Sequence, residues 1–469
     1  MARRFKVVDY EASLEQTVTI KECLPADHLA RFIVAIIGLL DLSPIYACYA
    51  SVGGEAYAPE ILLGLVFYGY ATGVFSSRKI EKATYESIPF RFITGGLHPD
   101  HDTIANFRKT FLPQITDLFA QVLVIAHEMG LLKIGNISLD GSKIHADASK
   151  SHAVSYGRLL TLEQQLRTEV EELLALAEQA DQGNLPEGLD VDVEIALRQE
   201  RLANLAQAKT VLEARAQERY EAEKVEYEAK LREREEKAQQ TGHNPRGRAP
   251  QPPTSGPRAK DQYNFTDADS RIMKNSCDEG FDQYYNAQVA VEQDSRLIMG
   301  NTVSSHPNDK EEAIPTVDAI PTVVGKPKAA ALDNGYFSSA NIEELEARGI
   351  EPYIATGRDR HHQSWQERFS QPPSPPPEEA SPMVKMAYKL KTEIGKLIYG
   401  LRKSTVEPVI GIIKETLGFR QFSLRGLVMV SGEWCLVCLA YNLKRLHVLV
   451  KDVKAPKSRL TLEMAWLYK

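Results

Sequence analysis

Apolar residues recur at three- and four-residue intervals from Asp27 to Leu42 and again from Pro59 to Tyr70, the spacing of one face of a helix. Pro59 opens the second run, where a helix tolerates a missing N–H. SSRKIEKATYESIPFRFITGG predicts a serine start, a short helix and a glycine stop. PDHDTIANFRKTFLPQITDLFAQVLVIAHEMG predicts a helix capped by Asp102 or Thr103, with Ile104, Phe107, Phe111 and Ile115 on one side. Residues 1–130 are therefore expected to form an all-helical domain. The period then falls to two. IGNISLDGSKIHA alternates with β-branched residues as a strand does, and FDQYYNAQVAVEQ, RLIMGNTVSS, KAAAL and PYIAT continue the series. A helix from about Ser339 or Asn341 separates the last two. The pattern predicts an α/β domain, with a mixed five-stranded sheet flanked by helices.

That domain is expected in three pieces, residues 131–154, 261–357 and 383–469. The first break holds two apolar seams, Leu159, Leu162, Leu166, Val170 and Leu173, then Ile195, Leu202, Leu205, Lys209, Leu212 and Ala216. Their spacing and their charged flanks predict an inserted helical hairpin or coiled coil over 155–240, folded on itself or on a partner. Residues 241–260 are rich in Gly and Pro and read as a linker. A second flexible, Pro-rich segment, 358–382, contains QPPSPPPEE. Beyond it the pattern is helical again, and an apolar helix over roughly 427–447 is expected to pack against the sheet.

Charge changes this picture only when divided along the chain. The net charge of −7 looks unsuited to a polyanionic partner, but residues 161–240 hold 20 acidic and 11 basic residues, so the remainder carries +2. Phosphate contact depends on local basic patches, and the acidic insertion is not expected to line a DNA channel. Arg78, Lys79, Lys82, Arg91, Arg108 and Lys109 serve equally as solvated helix faces or as DNA contacts. Five scattered cysteines imply no disulfide framework and suit a reducing cytosol; Cys435 and Cys438 read as two small core residues of one helix. The N-terminus lacks the apolar stretch of a signal peptide, and the apolar runs are interrupted before about 18 residues. No membrane association and a cytoplasmic location are expected.

Three acids stand out by setting. Asp140 lies inside the apolar strand ISLDG, Asp333 ends the apolar run AALD before a glycine, and Glu407 sits in TVEPVIG between basic clusters. An acid in an apolar run is rare without a task or a partner. Taken singly, the aspartates could be turn or cap residues and Glu407 a salt-bridged surface acid. As a set they offer the hard oxygen ligands that a pair of magnesium ions needs for phosphodiester chemistry, although periodicity does not show that they meet. His145, Asp147 and His152 lack a fourth ligand for zinc, and Asp267 and Asp269 read as a capped turn.

Several stretches together resemble the bacterial DDE-type insertion-sequence transposases that have a helical N-terminal domain and an RNase H-like catalytic domain. They are ILLGLVFYGYATGVFSSRKIEKA (61–83), HPDHDTIANFRK (98–109), SLDGSKIHADAS (138–149), YNFTDADSRIM (263–273), YYNAQVAVE (284–292), ALDNGYFS (331–338) and YGLRKSTVEPVIGIIK (399–414). The resemblance implies that Asp140, Asp333 and Glu407 are the catalytic acids and hold two Mg²⁺ ions, with Mn²⁺ as a substitute. Lys403, four before Glu407, and Lys414, seven after it, keep the related spacing. The aromatic is displaced to Tyr399, with Gly400 where relatives carry it, which leaves open whether Tyr399, Arg402 or Lys403 meets the phosphate at the cleaved end.

The resemblance further implies a double-stranded DNA partner, cut at the terminal inverted repeats of the element to release a 3′-hydroxyl that attacks target DNA. Lys143, Tyr399, Arg402, Lys403, Lys414, Arg108 and Lys109 are candidate DNA contacts, and Asn334 and Tyr336 are candidates for orienting the strand. For Lys143 an exposed lysine near a strand end is the plainer alternative. Joining two ends implies a homo-oligomer on DNA, with the 155–240 helices as one candidate interface. A nuclease that cuts without joining, or an inactive DNA-binding protein, would present the same blocks.

Overall fold

The computed structural model describes residues 19–49, 55–180, 189–241, 243, 249–274, 280–357 and 374–452. The chain forms two compact units, one made of Met1–Ile144 with Asn286–Lys469 and the other of His145–Tyr285.

The first unit opens with the expected helices: α1 (Leu29–Ile37), α2 (Ser43–Tyr46), α3 (Pro59–Ala71), α4 (Ser77–Glu86), α5 (Ile88–Thr94), α6 (His101–Thr110) and α7 (Leu112–Glu128). The last two were expected as one. Pro113 divides them, because its ring cannot sit in a helix interior but fits a first turn. The cap also lies earlier than expected: Asp100, not Asp102 or Thr103, accepts from the Thr103 N–H at 2.8 Å. Gly95 ends α5 at a φ of 61°, a left-handed position that favours glycine.

The sheet of this unit runs β6–β5–β1–β7–β8, with β1 (Asn136–His145), β5 (Phe281–Glu292), β6 (Ile298–Ser304), β7 (Ala329–Leu332) and β8 (Glu351–Ile354). These are the five strands the alternation predicts. β5 and β6 are antiparallel, and β1, β7 and β8 run parallel. A parallel pair needs a crossover, and α11 (Ser339–Ala347) supplies it between β7 and β8. Ala329 and Ala331 present little bulk, so α13 (Glu393–Gly400) packs Ile398 directly against them and Tyr353. The apolar C-terminal helix extends further than expected, as α15 (Leu427–Asp452), and packs on β6, α3 and α7. It is long and apolar enough to cross a membrane by composition, but most of its apolar stretch is buried within the protein. Cys435 and Cys438 are core residues, as expected.

Two polar groups fix α15 in place. Asn442 bonds both ways to the backbone of Ile298 on β6, at 2.8 Å each. Fully buried Glu433 accepts from the Tyr70 hydroxyl at 3.0 Å and from the N–H groups of Ser423 and Leu424 at 2.9 and 3.1 Å. Arg108 donates to the same Tyr70 oxygen at 2.8 Å and to the Phe75 carbonyl at 3.0 Å. Its expected DNA contact is therefore corrected. The guanidinium is buried among structural acceptors, while neighbouring Lys109 is exposed.

In the second unit, α8 (Tyr156–Ala180) and α9 (Val191–Thr241) form the inserted hairpin. Leu159, Leu166, Leu205, Ala208 and Leu212 close into one buried cluster with Val154 and Tyr263 of the same unit, so the expected seam is covered within this unit. Lys209, the seam's one charge, reaches Glu163 at 3.1 Å. The DQGNLPEGLD break lies mostly outside the described residues, as do residues 242 and 244–248 of the 241–260 linker and residues 358–373 of the 358–382 segment. Short strands β2 (Ala153–Ser155) and β3 (Gln262–Asn264) pair antiparallel, and β4 (Arg271–Lys274), which alternation did not predict, pairs with the start of β5 and makes the sheet six-stranded where five strands were expected. Asp267 is a buried turn residue accepting from the Tyr285 hydroxyl at 2.8 Å, in keeping with the capped turn expected there.

Because Leu205 fills the hairpin's own core, Leu205→Ala is expected to cost about 2–4 kcal/mol locally. Hydrogen exchange should then speed up across α8 and the facing part of α9. Unchanged protection there would show that the seam does not hold the hairpin.

Candidate active site

Parallel pairing of β1 with β7 sets Asn136 beside Ala329, Ile137 beside Ala330 and Ser138 beside Ala331. Two residues further in the same register stand Asp140 and Asp333. Side chains repeat every second residue along a strand, so both carboxylates leave the sheet on the same face, Asp140 from the middle of β1 and Asp333 from the residue that follows β7. Each is held by the backbone that follows it. Asp140 Oδ1 accepts from the Gly141 N–H at 3.0 Å. Asp333 caps a 3-10 turn over Asn334–Tyr336, and its Oδ1 accepts from the Gly335 N–H at 2.7 Å.

The third acid arrives on α14 (Arg402–Gly411). Pro408 lies inside this helix rather than opening a new one, and the chain continues through a π-helical turn at Ile412–Thr416. One turn before Glu407, Arg402 points inward and joins the three acids. Its Nη2 lies 2.8 Å from Asp140 Oδ2 and 3.9 Å from Asp333 Oδ2, and its Nη1 lies 3.2 Å from Glu407 Oε1. The Arg402 side chain is only 9% exposed, against 19% for Asp140, 38% for Asp333 and 48% for Glu407. Burial pushes the Asp140 carboxyl up to about 6; Arg402 opposes the rise and Asp333 adds to it. Burial draws the Arg402 guanidinium down, but Asp140 and then Asp333 outweigh it, and the net shift is upward.

The surrounding cations divide by orientation. Lys414 donates to Ser142 Oγ at 3.1 Å, which brings it to β1 two residues past Asp140. Lys403 is exposed, Lys143 is half-buried, and Tyr399 is half-buried against the Ala331 and Tyr353 cluster. Arg402 was expected at a DNA phosphate; in this arrangement its charge is committed to the acids. Asn334 is exposed, but Tyr336 has no exposed surface. Tyr336 donates to Gln288 Oε1 and so cannot face a DNA strand as expected. Its bulk belongs to the core behind the site.

Sequence reasoning missed Asn286 and Gln288. Both lie on β5 and are buried behind Asp140 and Asp333. Two amides two residues apart in the otherwise apolar YYNAQVAVE were the available signal. Gln288 also explains Gly141: a Cβ there would lie 2.2 Å from the Gln288 amide nitrogen.

Among the described residues, no three His, Cys, Asp or Glu side chains stand ready-grouped around a metal position. The geometry supplies the reason, since a guanidinium is wedged between the acids and keeps them apart. The donor set nevertheless fits hard divalent cations: all its atoms are carboxylate oxygens, they already surround one cation, and that cation leaves two negative charges unbalanced.

A mixed sheet whose adjacent inner strands β1 and β7 carry two aspartates, gathered with a helix-borne glutamate, has the layout of an RNase H-like catalytic domain. Comparison with known families agrees. Residues 18–110 match the family described as "Transposase domain (DUF772)", and residues 377–447 match "Transposase DDE domain". Both matched segments are therefore transposase segments, the C-terminal one of the DDE type. Neither match reaches Asp140 or Asp333, and no curated protein and no solved structure matches the chain.

Two outcomes are expected in metal-free buffer. Folded Asp140 holds its proton more tightly than the unfolded chain, so stability should fall by on the order of 2–3 kcal/mol as pH rises from about 4 to about 6. Asp140→Asn should lack that step; parallel melting curves for the two proteins would overturn the assignment. Arg402→Ala strands three acids without their counter-charge and should destabilise the protein by on the order of 3 kcal/mol. An unchanged urea midpoint would show that the guanidinium is dispensable.

Proposed function

We propose that this transposase cleaves phosphodiesters at the terminal inverted repeats of its element and joins the freed 3′-hydroxyl to target DNA, with Asp140, Asp333 and Glu407 holding two Mg²⁺ or Mn²⁺ ions. The single observation that carries the proposal is the meeting of three acids, distant in the chain, around one buried cation. Two such ions, when bound, activate the attacking oxygen and stabilise the leaving one in phosphoryl transfer.

The chain's own groups supply the rest. Two adjacent strands and a helix hold the carboxylates on rigid elements, which limits the reorganisation needed when DNA arrives. Lys414, tethered at Ser142, and the nearby Lys403 and Lys143 offer positive charge for backbone phosphates, which positions DNA without reading its sequence. Tyr399 lies one turn of chain from Arg402 and provides an aromatic edge for a displaced base. Exposed Lys109 offers a further phosphate contact on the helical domain. Bringing two DNA ends together calls for at least two copies of the chain on DNA. The buried hairpin seam supplies no interface for this, so its outer faces or other surfaces would carry the pairing.

The test is incubation of purified protein with Mg²⁺ or Mn²⁺ and DNA bearing the element's ends, beside Asp140→Asn, Asp333→Asn and Glu407→Gln. Each substitution is expected to lower strand cleavage by at least about 10³-fold, equivalent to roughly 4 kcal/mol of lost transition-state stabilisation. DNA binding should be retained, because removing negative charge does not weaken contact with phosphate. Cleavage that persists in any of the three would overturn the assignment of that acid. Products that are cut but never joined to a second duplex would mark a nuclease instead.

A further inference from the structure

Behind the three acids lies a fourth carboxylate, Asp309, in the loop between β6 and α10 (Ala313–Asp318). Its Oδ1 accepts from two buried amides of β5, Asn286 Nδ2 and Gln288 Nε2, each at 2.8 Å. Gln288 Nε2 also donates to Asn286 Oδ1 at 3.1 Å, and Gln288 Oε1 accepts from the Tyr336 hydroxyl. The polarity of this chain of bonds is set at its carboxylate end. With Asp309 as a pure acceptor, both amides must turn their N–H groups toward it, and Gln288 is left with its oxygen facing Tyr336. Burial, then the charges of Asp309, Asp140 and Asp333, hold the Tyr336 phenol well above its ordinary range, so it stays a donor.

The network reaches both aspartates. On one side Gln288 packs so tightly against Gly141, the residue after Asp140, that a Cβ there would force the Gln288 amide to shift. On the other, Tyr336 closes the 3-10 turn that Asp333 caps. Asp309 also faces Asp333 more directly. A Cβ placed on Gly335 would lie 3.0 Å from Asp333 Oδ1 and 3.4 Å from Asp309 Oδ2, so the two carboxylates flank the same small space. One Asp309 oxygen anchors the amides while the other is turned toward the Asp333 turn.

We propose that Asp309 is a positioning residue of the active site: through Gln288 and Tyr336 it fixes Asp140 and Asp333, and its charge adds to the field that draws divalent cations to them. This rests on the three-acid reading given above. Outer groups that orient metal ligands are commonly worth about 10–100-fold in metal affinity. Asp309 has the connections for such a role, although it lies about two dozen residues from Asp333 in sequence and follows a strand of its own.

Asp309→Asn separates charge from scaffolding, because an asparagine oxygen can still accept from both amides. The experiment is titration of Mn²⁺ into the DNA-free full chain by calorimetry, for the native protein, Asp309→Asn, Tyr336→Phe and Asp333→Asn, with a thermal melt of each. Asp333→Asn should abolish most Mn²⁺ uptake. Asp309→Asn should weaken it by about tenfold with little change in melting temperature, and Tyr336→Phe, which keeps the charge but cuts the link to the turn, should weaken it by a smaller factor. If Asp333→Asn loses Mn²⁺ while both other variants bind within about twofold of native, the role of Asp309 is overturned and the three-acid reading stands. If native protein takes up no Mn²⁺, or Asp333→Asn binds as native does, the three-acid reading fails and this proposal with it. Should Asp309→Asn lose its cooperative melt, Tyr336→Phe decides alone: native-like uptake by that variant overturns the positioning role.

Discussion

Carboxylates gathered on one face of a sheet repel one another, and in a partly buried setting the repulsion is poorly screened. The site depends on something positive standing among them. In this protein Arg402 does so, with Asp140, Asp333 and Glu407 all within 3.9 Å of its guanidinium nitrogens. Its planar fork suits the task better than an ammonium would, since two nitrogens can face acids arriving from different elements. The same guanidinium accounts for the absence of a ready-grouped metal cluster among the described residues. The acid site holds itself together with an internal cation, and the remaining negative balance is what the divalent cations of the proposed reading would answer.

The scaffold keeps that site rigid while tolerating a long insertion. The chain leaves the first unit at the end of β1 and returns within β5, so both strands begin or end their main pairings inside the sheet that carries the acids. The hairpin closes its seam through Leu159, Leu166, Leu205 and Leu212, with Val154 of β2 and Tyr263 of β3 in the same buried cluster. Behind the acids, the amides of Asn286 and Gln288 replace apolar packing with directional bonds. A fully satisfied buried polar network of this kind specifies one arrangement where hydrocarbon would allow several.

Regular elements were legible wherever a period ran long enough. The five strands and the helical domain were visible from alternation and three–four spacing, because burial of one face imposes those periods. Boundaries were less legible. Asp100, Asp102 and Thr103 are all competent caps, and only the backbone conformation selects Asp100. β4 escaped notice because its four residues, RIMK, carry too little pattern and owe their strand form to pairing with β5. Direction was the hardest property to read among charged residues. Arg402 and Lys403 are adjacent cations, yet one is buried among acids and the other exposed. Arg108 and Lys109 divide in the same way, and Tyr336, next to an active-site turn, faces inward.

The amino-acid sequence by itself determined the kinds of element, their order, the insertion, and the three acids that stand out from apolar surroundings. It could do so because periodicity and local polarity are properties of neighbours in the chain. Only the tertiary structure decided that Asp140 and Asp333 share a register, that Arg402 rather than Lys403 stands between them, and that Asn286, Gln288 and Asp309 lie behind them. Those facts follow from strand pairing and helix packing between segments far apart in sequence, where the favourable partner of a charge is chosen by three-dimensional distance and dielectric surroundings rather than by position along the chain.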